Sequence, residues 1–85
     1  MPVLVKTKGA GKPTTVTASL PATITFLPPA TSLLIDNTSG SSVQVRFNGE
    51  GDWKTLDAGA TLSIDATISK LELQGSGNVE IIAVV

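Results

Sequence analysis

No histidine, cysteine or tyrosine occurs in this sequence, and the aromatic residues number only three: Phe26, Phe47 and Trp53. The missing side chains supply most nucleophiles, proton shuttles and transition-metal ligands at neutral pH, so the composition argues against an enzyme. Without cysteine the chain has neither disulfides nor a cysteine-based zinc site. Three aromatics are too few to line a sugar groove and also fill a core. No apolar run approaches the ~20 residues that span a bilayer. Met1-Pro2 leads through Val3-Leu4-Val5 to Lys6 with no charged leader and no long apolar stretch of the secretory type. Synthesis in the cytoplasm, with no membrane partner, is the expectation.

What is present is Thr, Ser, Val, Ile, Leu and Gly in short alternating runs punctuated by Gly, Pro, Asn and Asp. No window repeats apolar residues at helical spacing, whereas period-two alternation recurs throughout. Val43, Val45 and Phe47 alternate with Gln44 and Arg46, the Asn48–Asp52 segment reads as a turn, and Trp53–Leu56 reads as the return strand of a hairpin. Leu62 and Ile64 alternate with Thr61 and Ser63, and Leu71 and Leu73 with Lys70 and Glu72. Gly75-Ser76-Gly77-Asn78 turns the chain into a last strand, Val79 to Val85. The first third is less regular: Val3–Val5, Thr14–Ala18, Thr23–Phe26 and Leu33–Ile35 are strand candidates, with Pro28-Pro29 as an extended connector. Turns every eight to twelve residues predict an all-β, antiparallel, jelly-roll-like sandwich of about seven to eight strands.

Charge divides the chain. Residues 1–20 carry Lys6, Lys8 and Lys12 and no acid, while the remainder sets three bases against seven acids. The division expected from this is a basic arm over 1–20, with at most one short strand, and a sandwich domain over 21–85. Three lysines are too few for a nucleic-acid tail, which needs several phosphate contacts to hold at physiological salt. The arm is either solvated or docked on an acidic protein surface.

A domain of this size buries only about 60–65% of the surface its unfolded chain exposes, and without disulfide or metal the remaining support is oligomerisation. Leu33-Leu34-Ile35 and Ile81–Val85 are apolar at consecutive positions, so each strand has two apolar faces. The second face, carrying Leu34, Ile82 and Val84, is expected to lie in a subunit interface or under the amino-terminal arm.

Chemical motifs are scarce. Asn48, Glu50 and Asp52 superficially suggest a calcium loop, but Trp53 and Gly59 stand where its glycine and distal glutamate belong. Gly9-Ala10-Gly11-Lys12 lacks phosphate-loop spacing, and Asp52 and Asp57 are a weak acid–base pair. Asn37-Thr38-Ser39 matches a glycosylation sequon and reads as a turn. No catalytic, metal or cofactor residue is assigned. Trp53 either caps the core or projects as a stacking anchor for a sugar or a protein partner.

The stretch from Leu34 to Ile82 resembles small β-rich structural proteins of tailed bacteriophages. The resemblance is carried by Leu34-Ile35-Asp36-Asn37-Thr38, Val43 to Gly49, Asp52-Trp53, Leu56, Ala58-Gly59, Leu62-Ser63-Ile64, Ile68 to Leu71 and Gly75-Ser76-Gly77. It implies a virion component: a capsid decoration (cement) protein, homotrimeric and bound to the major capsid protein or another virion protein. The alternative is a carbohydrate-binding or fibre or tail module using Trp53 and the Asn48–Asp52 loop. The resemblance carries over no catalytic or ligand residues. Lys6, Lys8, Lys12 and Trp53 are the candidate partner-binding residues, and Leu34, Ile82 and Val84 the candidate oligomer interface.

Overall fold

A computed structural model describes residues 2–85 as seven strands with no helix among them. These are β1 (Pro2–Lys6), β2 (Thr14–Ser19), β3 (Ala22–Asp36), β4 (Val43–Phe47), β5 (Glu50–Leu56), β6 (Thr61–Gln74) and β7 (Asn78–Val84). The all-β, jelly-roll-like sandwich expected from the alternation is the fold observed. One hydrogen-bonded sheet, ordered β2-β7-β3-β6-β4-β5 with β1 added on β3, folds back on itself around a single core.

The folding back is done by the two longest strands. The first part of β3 pairs with β1 and with the 70–73 part of β6; its last part pairs with β7 and with residues 61–65 of β6. Between them the β3–β6 register slips twice, from Thr25 to Ala30 and from Ala30 to Ser32. Such slips bend a strand and add twist. The result is a front layer, β1-β3-β6-β4-β5, and a back layer, β2-β7-β3-β6. Four stretches that alternation predicts as separate strands are thus two continuous ones. Pro28 and Pro29 are accommodated because the slip leaves them without a ladder partner on β6.

Alternation sets which side chains enter the core. Ile24, Phe26, Val45, Leu71 and Leu73 point in from the front layer, and Leu33, Ile35, Val79, Ile81 and Ala83 from the back; each is 1% exposed or less. Truncating one of the larger of these, such as Phe26, costs about 3–5 kcal/mol in comparable cores.

Two segments of the amino-terminal region, residues 2–6 and 14–19, are strands of this sheet, which corrects the expectation of an arm with at most one short strand. Strand β1 lies beside β3 from Pro2↔Thr23 to Lys6↔Leu27, and β2 beside β7 from Thr14↔Ala83 to Ser19↔Asn78. Val5 and Ala18 are buried in the core, which is the physical reason the segment is held. The β1–β3 pairing is parallel, an exception to the otherwise antiparallel ladder. The 7–13 loop links β1 to β2, and Gly11 N–H donates to the Val85 carbonyl at 2.8 Å, fastening it to the end of β7.

One end of the sandwich is closed around Asn37, 1% exposed. Its Nδ2 donates to the carbonyls of Ser41 (2.8 Å), Leu56 (3.0 Å) and Asp57 (3.0 Å), and its Oδ1 accepts from the Ser39 amide and hydroxyl. This side chain joins the β3–β4 loop to the β5–β6 turn. The β6–β7 turn packs on the same loop: a Cβ on Gly77 would stand 3.0 Å from Ser39 Cβ, and the φ of +88° there suits only glycine comfortably. The sequon is therefore a structural turn, and its amide is fully engaged within the fold.

Two outcomes test this architecture. Deleting residues 1–6 lowers the urea midpoint, because it uncovers the β3 edge and removes Val5 from the core, whereas Lys8→Ala with Lys12→Ala leaves it unchanged. Asn37→Ala strips donors from buried carbonyls at about 1–3 kcal/mol each, so its melting temperature falls by roughly 10 °C or more.

Candidate functional surfaces

The described residues enclose no pocket, and no group of three or more acidic side chains among them is placed to hold a metal.

On the front layer, Gln44 and Arg46 alternate with buried Val43 and Val45, and Glu72 and Gln74 with buried Leu71 and Leu73. Arg46 is opposite Glu72, which is opposite Thr23, which is opposite Pro2. At the other edge the β4–β5 register slips between Val45 and Phe47, leaving Arg46 facing Gly51, Asp52 and Trp53. This irregularity re-aims Trp53 so that the Arg46 guanidinium lies 4.7 Å from its ring centroid, within cation–π range. Arg46 also grips Glu72 with both carboxylate oxygens, Nη2 to Oε1 at 3.0 Å and to Oε2 at 2.9 Å, with Nε at 3.2 Å. A row of Trp53, Arg46, Glu72 and Thr23 therefore crosses four strands, bordered by Thr55, Gln44 and Gln74.

The hydrogen bonds from Arg46, joined by the nearby charges of Arg46 and Lys70, hold the Glu72 carboxyl below its ordinary value. Trp53 is half-buried, its ring shared between Arg46 and solvent.

Asn48 serves the scaffold. Its Oδ1 accepts from the Ser69 amide (2.9 Å), the Ser69 hydroxyl (3.2 Å) and the Lys70 amide (3.4 Å), and its Nδ2 donates to the Thr67 carbonyl (3.0 Å). The hairpin tip is thereby pinned to the bend of β6, and its φ of +57° is one an asparagine tolerates.

On the back layer Leu33 and Ile35 point inward and Leu34 outward; Ile81 and Ala83 point inward, Ile82 and Val84 outward. Leu34 stands directly opposite Ile82, and Val84 follows two residues on, opposite Ser32. The three candidate interface residues thus form one half-buried apolar stripe, edged by Thr15 and Ser63. Cover by the amino-terminal segment is ruled out by the topology, because β1 lies in the front layer and β2 lies alongside β7 in the plane of the back layer.

The candidate partner-binding residues are dispersed. Lys6 ends β1, on the far edge of the front layer from Trp53, with β3, β6 and β4 in between. Lys8 and Lys12 belong to the loop fastened at the end of β7. Sequence reasoning missed Arg46 and Glu72, which are 26 residues apart and meet only through the β4–β6 register. It also missed Leu4 and Leu27, which are 58% and 57% exposed on the same outward face of β1 and β3, two residues apart in register. The outward parity of Arg46 and Glu72 in their strands was the one available signal.

No protein-family profile and no curated protein matches the chain. Solved structures do. A carbohydrate-binding module from a sugar cane soil metagenome, solved with cellopentaose and gadolinium, is 13% identical, with a TM-score of 0.54 over 89% of this chain and 86% of that one. A de novo designed double-stranded β-helix is 15% identical, with a TM-score of 0.50 over 87% of this chain and 99% of that one. A Vibrio parahaemolyticus protein of unknown function is 18% identical, with a TM-score of 0.46 over 85% of this chain, which spans 65% of its length. For the carbohydrate-binding module and the designed β-helix, the likeness at these identities is one of fold: a small jelly-roll-like β domain.

The lowered carboxyl of Glu72 makes a pH prediction. A carboxyl depressed in the folded state contributes stability that is present above its unfolded value, 4.5, and is lost as pH falls below it through the folded value. Glu72→Gln should flatten the fall in melting temperature between neutral and acid pH. The wild-type and variant curves should converge at the acid end.

Proposed function

We propose that this chain is a non-catalytic structural protein of a tailed-phage virion, a capsid decoration protein that assembles with itself and binds the head shell. The observation that carries the reading is the outward-facing, half-buried Leu34–Ile82–Val84 stripe on a chain without a pocket among its described residues. Contiguous apolar side chains on the outward face of a small domain mark a protein contact. The virion setting rests on the resemblance of the Leu34–Ile82 stretch to phage structural proteins. Joining weak copies into one unit multiplies their hold on a repeating lattice, which is how a domain this small binds a shell firmly.

A second reading is favoured by the Trp53 row. A half-exposed indole beside Gln44, Gln74 and Thr55 offers a stacking face with amide and hydroxyl groups at strand spacing, suited to an extended glycan. A carbohydrate-binding module shares this fold.

One experiment separates the two. The purified protein is sedimented with phage head shells assembled from major capsid protein alone, and in parallel applied to a glycan array. Saturable binding to shells, with a rise in their melting temperature that survives Trp53→Ala, is the expected result. A glycan signal lost in Trp53→Ala, with no shell binding, overturns decoration in favour of the carbohydrate reading.

A further inference from the structure

We propose that two copies of this chain join through the free edges of β2, antiparallel about a two-fold axis, so that their back layers form one continuous sheet. This rests on the self-assembly reading above and adds to it the strand and the backbone groups that make the contact.

Strand β2 ends the back layer on one side. It pairs with β7, and no strand among the described residues lies along its other side. Which of its backbone groups face outward follows from the register. The Leu20 N–H donates to the Gly77 carbonyl at 2.9 Å, and the ladder continues from that pair in steps of two through Ala18↔Val79, Val16↔Ile81 and Thr14↔Ala83. In an antiparallel ladder, pairs that exchange hydrogen bonds alternate with pairs that do not. The N–H and C=O groups of Thr15, Thr17 and Ser19 therefore point away from β7. The Val85 carbonyl, of the same parity as Ala83, accepts from Gly11 on the β2 side, in keeping with this assignment.

The free edges of the sheet differ in how they are protected. Natural edges are blunted by charge, by proline or by a bulge. Strand β5 carries Glu50, Asp52 and Lys54 and the register slip against β4. Strand β1 carries Pro2 and Lys6. The 61–65 edge of β6 ends on Asp65, where the strand runs into its bend. Strand β2, Thr-Thr-Val-Thr-Ala-Ser, has none of these devices. Its threonines and valine are β-branched types that favour a paired strand. The Val16 side chain packs against the core yet stays half-buried at the open edge.

The occupant this edge fits is its own copy. An uncharged strand meets itself without like-charge repulsion across the pair. An axis near Val16 places Thr15 of one copy opposite Thr17 of the other, and the reverse, so the outward N–H of each finds a carbonyl. It also sets the two Val16 side chains against each other on the core side. The charges near the ends of β2 fit the same arrangement. The loop carrying Lys8 and Lys12 precedes the strand, and Glu80 is opposite Thr17 towards its far end. Antiparallel pairing brings the basic end of one copy beside the acidic end of the other; these exposed charges orient the pair more than they strengthen it. The contact is isologous and stops at two copies, where the phage resemblance implies three. Because the axis stands perpendicular to the sheet, both Leu34–Ile82–Val84 stripes lie on the same outer face, which makes the pair bivalent towards a shell.

Sedimentation velocity and native mass spectrometry read the assembly, and amide exchange followed by NMR reads the edge. The native chain should run at twice 8.7 kDa. In that state the Thr15 and Thr17 amides should exchange slowly. Dilution to monomer should release them, while the Val16 and Ala18 amides, bonded to β7, stay protected. Thr17→Pro removes an outward N–H without touching the β2–β7 ladder, and an edge strand tolerates proline there. It should give a monomer of 8.7 kDa whose circular dichroism is that of the native fold. If Thr17→Pro fails to fold, Thr17→Lys, which charges the edge and keeps every backbone donor, replaces it with the same expectation. An assembled native chain whose Thr15 and Thr17 amides exchange freely, or a folded variant that stays assembled, overturns the β2 contact and leaves self-assembly standing. A native chain that is monomeric up to its solubility limit overturns both.

Discussion

Everything in this fold depends on β3 serving two layers at once. A fifteen-residue strand that stayed straight would run about 50 Å, longer than the whole molecule, whose greatest extent is 34 Å. Bending at the register slips between Thr25 and Ser32 brings Ile24 and Phe26 across from Leu33 and Ile35, so one strand lines both walls of the core. Strand β6 follows it antiparallel along its length and must bend with it; Asn48 fastens that second bend from outside. Strands β1, β2, β4, β5 and β7 then find edges to pair with. The single core cluster is the consequence.

This economy leaves little for an interior site. With seventeen apolar side chains buried in one cluster, the space between the layers is filled, and no pocket opens among the described residues. Chemistry is pushed outward onto flat faces, where a sheet presents side chains in rows a few ångströms apart. The front face carries the hydrogen-bonded and stacked row from Trp53 to Thr23. The back face carries the apolar stripe of Leu34, Ile82 and Val84, edged by Thr15 and Ser63. Flat faces of this kind suit proteins or extended polymers better than small molecules, which need concave, enclosing sites.

The bidentate Arg46–Glu72 contact shows how such a face acquires rigidity. The planar guanidinium fits the carboxylate in a fork and at the same time lies against the indole, a combination that lysine would not reproduce. It orders three strands' worth of surface without burying a charge. Asn37 does the equivalent inside the end loops, where an amide with both donors and an acceptor meets three carbonyls from two segments. Polar groups are thereby satisfied in the core of a domain that has few aromatic or sulfur-containing residues to spare.

The sequence by itself determined the fold class, the hairpin of β4 and β5, the turns and the parity of each strand, because a period of two is a local property. Parity already separated Leu33 and Ile35 from Leu34, and Ile81 from Ile82, leaving two apolar faces to explain. Only the tertiary structure decided that Thr23–Phe26 and Leu33–Ile35 are one strand, that the amino-terminal segment carries core residues, and that Arg46 meets both Glu72 and Trp53. Strand partners are chosen by packing between residues far apart in the chain, and a short basic stretch such as residues 1–12 looks the same whether it is solvated or has Val5 seated beside Phe26. Asn37 was legible as a turn but not as a hub, since its partners lie on loops that come together only when both layers close.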